Sequence, residues 1–453
     1  MNRNVISVLD GAIGSCGKGK VVGEIATDPN IVLGASVSNC KPNAGHTFVS
    51  EKGEKMVFTN IPVSAVNPNT ELFIGPGAAI DMPSFIKEYE RHAHLLGDRK
   101  IYVHEMVSLI EDRHKEREKA ELETGSTYKG CGAVVAEKAM RNKNLQFFKG
   151  YKNAVVVSID EYLDRLGKHL ENEDEYVMLE SSQGCGLDSN YSKNYPNTTS
   201  EDISTAYLLD KSGISAERLL QTIMVIRPFP IRISNITNDG KIIYTGGFGS
   251  GAPLTWTQIN LSAALGTYPY PGDIELYDHK LTLRMIRKLL TKSNDIAIKQ
   301  VFGKDICSID SQTVTLLEAL ELERLINKAQ GNEYYASDIL TGNFSNLKDS
   351  MVIRDLSEQT TVTKMERRIG DLDIKQLKNY CRINTPYGLY LNFFQHLNLD
   401  YEHEVGNFEN YYFDRYLENY LDWLESETRT QILALGTGAK NGEKILKKEL
   451  IRR

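Results

Sequence analysis

Two short stretches carry residue types that could do phosphate chemistry. The first is Gly14-Ser15-Cys16-Gly17-Lys18-Gly19-Lys20, close behind the apolar run Val5-Ile6-Ser7-Val8-Leu9. Glycines let successive backbone N–H groups converge on an anion, and lysines and a helix N-terminus add positive potential. Gly14, Gly19 and Lys20 fit the spacing G-x-x-x-x-G-K, yet Val21 stands where a Ser or Thr would hold magnesium. A metal must therefore be bound another way. The second stretch is Asn43-Ala44-Gly45-His46-Thr47, behind the run Ile31–Val37. A histidine flanked by small residues at a strand exit suits proton transfer or the polarising of an oxygen. Each stretch alone could be an ordinary glycine turn or a turn-capping histidine; the pair together is specific.

The elements that must position them follow from apolar patterning. Val5–Leu9, Ile31–Val37, Leu72–Gly75, Ile101–His104, Tyr176–Glu180, Thr222–Ile226 and Tyr387–Phe394 read as strands. Gly17–Ala26, Met82–Leu96, Ile274–Gln300 and Thr313–Ala329 read as helices, and Phe413–Glu427 as a packed helical face. The βα alternation predicts an α/β fold: a mostly parallel central sheet with helices on both faces. Lys440–Arg453 reads as a solvated basic helix. With 453 residues, 41% apolar and 25% charged, the chain is long enough for one elaborated domain. A net charge of −7 argues against a nucleic-acid surface, so an anionic substrate must be met by local basic clusters. No apolar stretch approaches the ~20 residues needed to cross a bilayer, which excludes a membrane span. Six scattered cysteines with no C-x-x-C pair read as free thiols of a reducing, cytoplasmic compartment.

Gly17-Lys18-Gly19-Lys20 together with Asn43-Ala44-Gly45-His46-Thr47 resembles the adenylosuccinate synthetase family, whose fold is P-loop-related. Further blocks agree in the right order. Gly125-Ser126-Thr127-Tyr128-Lys129-Gly130-Cys131-Gly132 resembles the family's nucleotide-phosphate loop. Arg141 falls where the family presents an arginine to the phosphate of a neighbouring subunit, implying a homodimer. Glu180-Ser181-Ser182-Gln183-Gly184 resembles the block whose Gln touches the purine nucleotide, and Tyr195–Ser200 the loop that contacts phosphate through Thr199. Thr360-Thr361-Val362-Thr363 with Arg367 resembles the loop that grips aspartate. Residues 236–356 match nothing clearly and read as a divergent insertion. The resemblance implies small-molecule substrates: the amine of L-aspartate is joined to C6 of a 6-oxopurine nucleotide after a nucleoside triphosphate phosphorylates O6. It implies that His46 serves O6 and the γ-phosphate and that Lys18 neutralises phosphoryl charge. Ser15 and the Gly45 carbonyl then become ligands of Mg2+. Asn43, Ser126, Thr127, Arg141, Gln183 and Thr199 fall to the purine nucleotide. Gly14, Gly17, Gly19, Lys20, Thr47 and Gly436 fall to the phosphate and nucleotide cradle.

Two departures sharpen the reading. Typical members carry Asp-Glu where this chain has Ser15-Cys16, and that Asp is the base for purine N1. A hydroxyl is no base near neutral pH without a partner. The family's guanine-reading Lys-x-Asp block is replaced by Leu391-Asn392-Phe393-Phe394-Gln395. Asn392 or Gln395 offers a donor and an acceptor that suit adenine, favouring ATP as co-substrate over GTP. Both departures resemble the family's phage branch, which takes dGMP in place of IMP. Two other readings stay open: an IMP-dependent synthetase with a rearranged base, and an inactive nucleotide-binding regulator.

Overall fold

The computed structural model describes residues 2–122, 124–238, 241–254, 256, 259, 262–263, 356–359 and 366–452. The chain forms two compact units, one of Met1–Gly251, Asp371–Phe393 and His403–Arg453, the other of Ala252–Gly370 and Phe394–Glu402. The expected helices 274–300 and 313–329, and most of the expected insertion, lie outside the described residues.

The first unit is built on an eleven-stranded sheet. In chain order its strands are β1 (Val5–Asp10), β2 (Leu33–Ser38), β5 (Glu71–Ile74), β6 (Ile101–His104), β7 (Ala154–Val157), β8 (Tyr176–Glu180), β9 (Leu219–Ile226), β10 (Gly388–Leu391), β11 (Gly406–Asn407), β12 (Ile432–Gly436) and β13 (Lys444–Leu446). A separate hairpin pairs β3 (His46–Val49) with β4 (Lys55–Phe58). The spatial order is β11-β13-β12-β10-β9-β1-β8-β2-β5-β6-β7, parallel throughout except for the β12–β13 pair. Every residue of β1 is buried, as a parallel strand covered on both faces requires. Helix α1 (Lys18–Thr27) follows β1 directly, and α2 (Met82–Leu96) starts at an Asp81 cap that accepts from the Ser84 amide.

The α/β reading and most predicted strands stand, with three differences. Strand β10 stops at Leu391, not Phe394: the Asn392 amide donates to Ile226 O, and Phe393 turns left-handed with φ 59°. Strands β7, β11, β12 and β13 of the sheet are additional to those predicted. The C-terminal stretch is no solvated helix. The turn at Gly442 (φ 83°) sends Lys444–Leu446 back along β12, and Leu450 and Ile451 are buried. Gln221 clips this end: its Nε2 donates to Leu450 O at 2.7 Å and its Oε1 accepts from the Arg452 amide at 2.7 Å.

Candidate active site

Six neighbouring strands, β12-β10-β9-β1-β8-β2, end at the same edge, and the loops that leave them carry most of the predicted site. Carboxyl ends of parallel strands are where such sheets open a crevice. After β1 the chain reverses through left-handed Gly14 (φ 89°), Ser15 (φ 59°) and Gly17 (φ 87°). The fully buried Asp10 carboxylate shapes this loop from below, accepting from the amides of Ala12 (3.0 Å), Gly14 (3.1 Å) and Cys16 (2.9 Å). Ser15 is left exposed at the crown. Helix α1 then starts from Gly17 with no side-chain cap, so its first-turn amides face the loop as an anion cradle.

A second helix shows what such a terminus accepts. Helix α4 (Cys131–Ala139) also starts from a left-handed glycine, Gly130. There the chain supplies the anion itself: Glu118, on α3 (Asp112–Glu121), accepts from the amides of Gly130 and Gly132, both at 2.7 Å. The carboxylate is internal at α4, whereas at α1 no side chain caps the first turn, and only the Lys20 amide turns back, to Gly17 O at 3.1 Å.

Lys18 is buried over the loop, its Nζ donating to Gln183 O at 2.6 Å and lying 3.5 Å from Asp10 Oδ2. Gly184 packs against the same loop; a Cβ there would fall 2.3 Å from the Gly14 amide nitrogen. Gly19 lets β3 lie on α1, since a Cβ there would fall 2.6 Å from Thr47 O. This brings His46 to the cradle. Its ring is 9% exposed, and Nε2 has no hydrogen-bond partner. Burial, with help from Lys18, pushes its pKa down to about 3, so the imidazole is neutral. Asn43 Oδ1 is likewise buried without a partner. A buried polar atom without a partner calls for an explanation, and a bound ligand would supply one here.

Lys20 faces elsewhere. In place of the phosphate contact expected from the sequence, its Nζ donates to Gly438 O (2.8 Å) and Glu443 O (2.6 Å), and it is buried beside Glu24. Asn392 is a wedge: Nδ2 donates to Cys16 O at 3.1 Å, and a Cβ on Gly17 or Gly436 would fall 2.2 or 2.1 Å from its amide. Gly17 and Gly436 thus make room for Asn392. Ser126 is half-buried, its hydroxyl accepting from the Tyr128 amide; Thr127 and Arg141 are exposed. Thr199 is half-buried and its amide is fixed to Leu187 O, while Ser200 lies against Gly132. Gln395 and Arg367 belong to the second unit. Gln395 Oε1 is buried without a partner, and the Arg367 backbone is held by Glu358 O and Trp256 Nε1. Thr360, Thr361, Val362 and Thr363 lie outside the described residues.

Among the described residues no group of three or more His, Cys, Asp or Glu could hold a metal. The oxygen donors expected to hold the metal, the hydroxyl of Ser15 and the carbonyl of Gly45, are both on exposed residues. Hard oxygen donors completed by phosphate and water fit Mg2+. All described cysteines are free and buried, and no described helix is long and apolar enough to cross a membrane. Sequence reasoning missed Asp10, whose signal was a lone carboxylate where an apolar strand enters a glycine loop. It also missed Arg227, a lone cation at the end of β9.

The sheet, the open cradle and the buried neutral histidine define a nucleotide-handling α/β enzyme. The family profile described as adenylosuccinate synthetase matches residues 8–149. An adenylosuccinate synthetase of Methanococcus maripaludis (strain C5) is 30% identical over 307 residues, 64% of this chain and 82% of that protein. The N6-succino-2-amino-2'-deoxyadenylate synthase of Acinetobacter phage SH-Ab 15497 is 28% identical over 289 residues, 56% of this chain and 73% of that protein. The chain belongs to the adenylosuccinate synthetase family and is a C–N bond-forming ligase. The same fold is seen in the succinoaminodeoxyadenylate synthetase of cyanophage S-2L, solved with dGMP and with dATP as an energy donor. Its TM-score is 0.66 at 20% identity, covering 98% of this chain and 96% of that one.

Proposed function

We propose that this ligase joins L-aspartate to C6 of dGMP at the expense of ATP, giving N6-succino-2-amino-2'-deoxyadenylate, ADP and phosphate. One observation carries the reading. The crown of the phosphate loop presents the hydroxyl of Ser15, while the loop's only carboxylate, Asp10, lies beneath it with both oxygens engaged by amides. A small uncharged side chain at the crown leaves room for a purine 2-amino group beside it. The phage relatives support the same choice of nucleotide.

The chemistry needs two displacements. Purine O6 attacks the γ-phosphorus of ATP, ADP leaves and the N1 proton passes to water; the aspartate amine then attacks C6, gives up a proton to water, and phosphate leaves. Lys18 and the open α1 amides stabilise charge on the transferring phosphoryl group. His46, being neutral, both donates and accepts through its ring nitrogens and meets O6. Mg2+, held by Ser15 and Gly45, would screen the phosphate charge. Arg141 completes the site of a second copy, making the working form a homodimer. A mixture of Lys18→Ala and Arg141→Ala subunits then regains activity that neither variant has alone; no recovery on mixing removes the shared site.

The test offers dGMP, GMP, dIMP and IMP in parallel with ATP, Mg2+ and L-aspartate, with products read by mass spectrometry. A succinyl adduct from dGMP and not from IMP is expected. An adduct only from IMP makes the chain an adenylosuccinate synthase, as the archaeal relative's name would have it. Nucleotide binding without any adduct makes it an inactive regulator.

A further inference from the structure

Arg227 follows the last residue of β9 and is fully buried, 0% exposed. Its Nη1 donates to the Ser15 carbonyl at 3.1 Å, and its guanidinium carbon sits 4.0 Å from the centroid of the Phe393 ring. The two residues it touches share a feature. Ser15 and Phe393 each hold φ at 59°, a left-handed conformation that strains a side-chain-bearing residue and persists only where surroundings enforce it. One reversal shapes the crown of the phosphate loop; the other ends β10 at the segment read as the wall for the base. The amide of Asn392 bonds Ile226 O, next to Arg227, and its side chain bonds Cys16 O. Both reversals therefore meet at the end of β9.

We propose that Arg227 is a positioning residue that fixes the spacing between the phosphate cradle and the base-side wall, so that one nucleotide spans both. The proposal rests on reading Asn392–Phe393 as that wall. A guanidinium is suited to the task because its edge donates while its flat face stacks. An ammonium does one or the other.

The experiment is a double-mutant cycle of Arg227→Lys and Phe393→Leu, read as equilibrium affinity for ATP and for inorganic tripolyphosphate, which fills the cradle and has no base. Each single substitution is expected to weaken ATP about tenfold, and the double variant no more than the Lys variant alone, because both remove one coupled spacing. Tripolyphosphate affinity is expected to change far less. Effects that multiply, or equal losses for both ligands, overturn the proposal. Should Arg227→Lys not fold, Phe393→Leu keeps its own test: an unchanged ratio of ATP to tripolyphosphate affinity overturns the spacing role. Free guanidinium restoring ATP affinity to Arg227→Ala, where ammonium does not, supports it. Binding needs no turnover, so a wild type that binds ATP and makes no succinyl adduct loses the ligase reading and leaves this test intact.

Discussion

His46 and Asp10 stand at the cradle in different ways: one ring nitrogen of His46 has no hydrogen-bond partner, whereas both carboxylate oxygens of Asp10 are engaged by amides. On the function proposed above, His46→Ala removes the group that meets O6; the expected loss is about 10²–10³-fold in kcat, with the melting temperature nearly unchanged. The ring's pKa of about 3 lies below its unfolded value near 6.5. A histidine kept neutral by folding contributes stability above its unfolded pKa, and that stability is lost as pH falls from about 6.5 towards 3. NMR of the free protein should show no titration of the His46 ring between pH 5 and 8. A midpoint in that window would mean the imidazole is solvated or paired. Asp10 accepts from three amides and lies 3.5 Å from Lys18 Nζ. Asp10→Asn is expected to cost about 3 kcal/mol in urea unfolding and to weaken ATP binding. Residues 14–20 and 43–47 were legible in the sequence because their chemistry is written in residue types a few positions apart. Asp10 was only half legible. Arg227 was not legible at all, since its partner Ser15 is 212 residues away.

At the scale of elements, helix termini and strand ends decide what the sheet can hold. The same glycine-led start serves α1 as an open anion cradle and α4 as a site filled by Glu118. Sequence shows the glycines and not the capping carboxylate, which comes from a different helix. Far from the cradle, the helix Ile159–Glu171 is tied to the sheet by His169, with Nε2 2.9 Å from Glu71 and Nδ1 2.6 Å from Glu175. Glu71 foremost, then Glu175, raise the His169 pKa. A histidine with a raised folded pKa contributes stability that is full below its unfolded pKa and is lost as pH rises through the folded value. Thermal melts should therefore fall as pH rises above neutrality, and His169→Asn should flatten that slope. An unchanged slope in the variant would assign it to other groups.

Across the whole molecule, the order of strands was less legible than their existence. Apolar runs reveal that β1, β8 and β9 are strands, but their adjacency depends on crossovers between residues more than 150 positions apart. The C-terminal stretch shows the same limit: its apolar residues suit a helix as well as a strand, and the free edge of β12 settles the matter. Because Gln221 holds residues 450 and 452, removing residues 449–453, or Gln221→Leu, is expected to lower the melting temperature measurably. An unchanged melting temperature in both would show the end to be idle.

Lys20 is translated well before its hydrogen-bond acceptor at Glu443, which comes 423 residues later. At the usual 5–20 residues per second, the ribosome needs roughly 20–85 s to close that gap. Asn392, which props Gly17, also emerges late. For that interval the nascent chain carries its phosphate loop without the supports that shape it. Nucleotide capture must wait for those supports, and a chain terminated before Asn392 would leave the ribosome unable to hold a nucleotide.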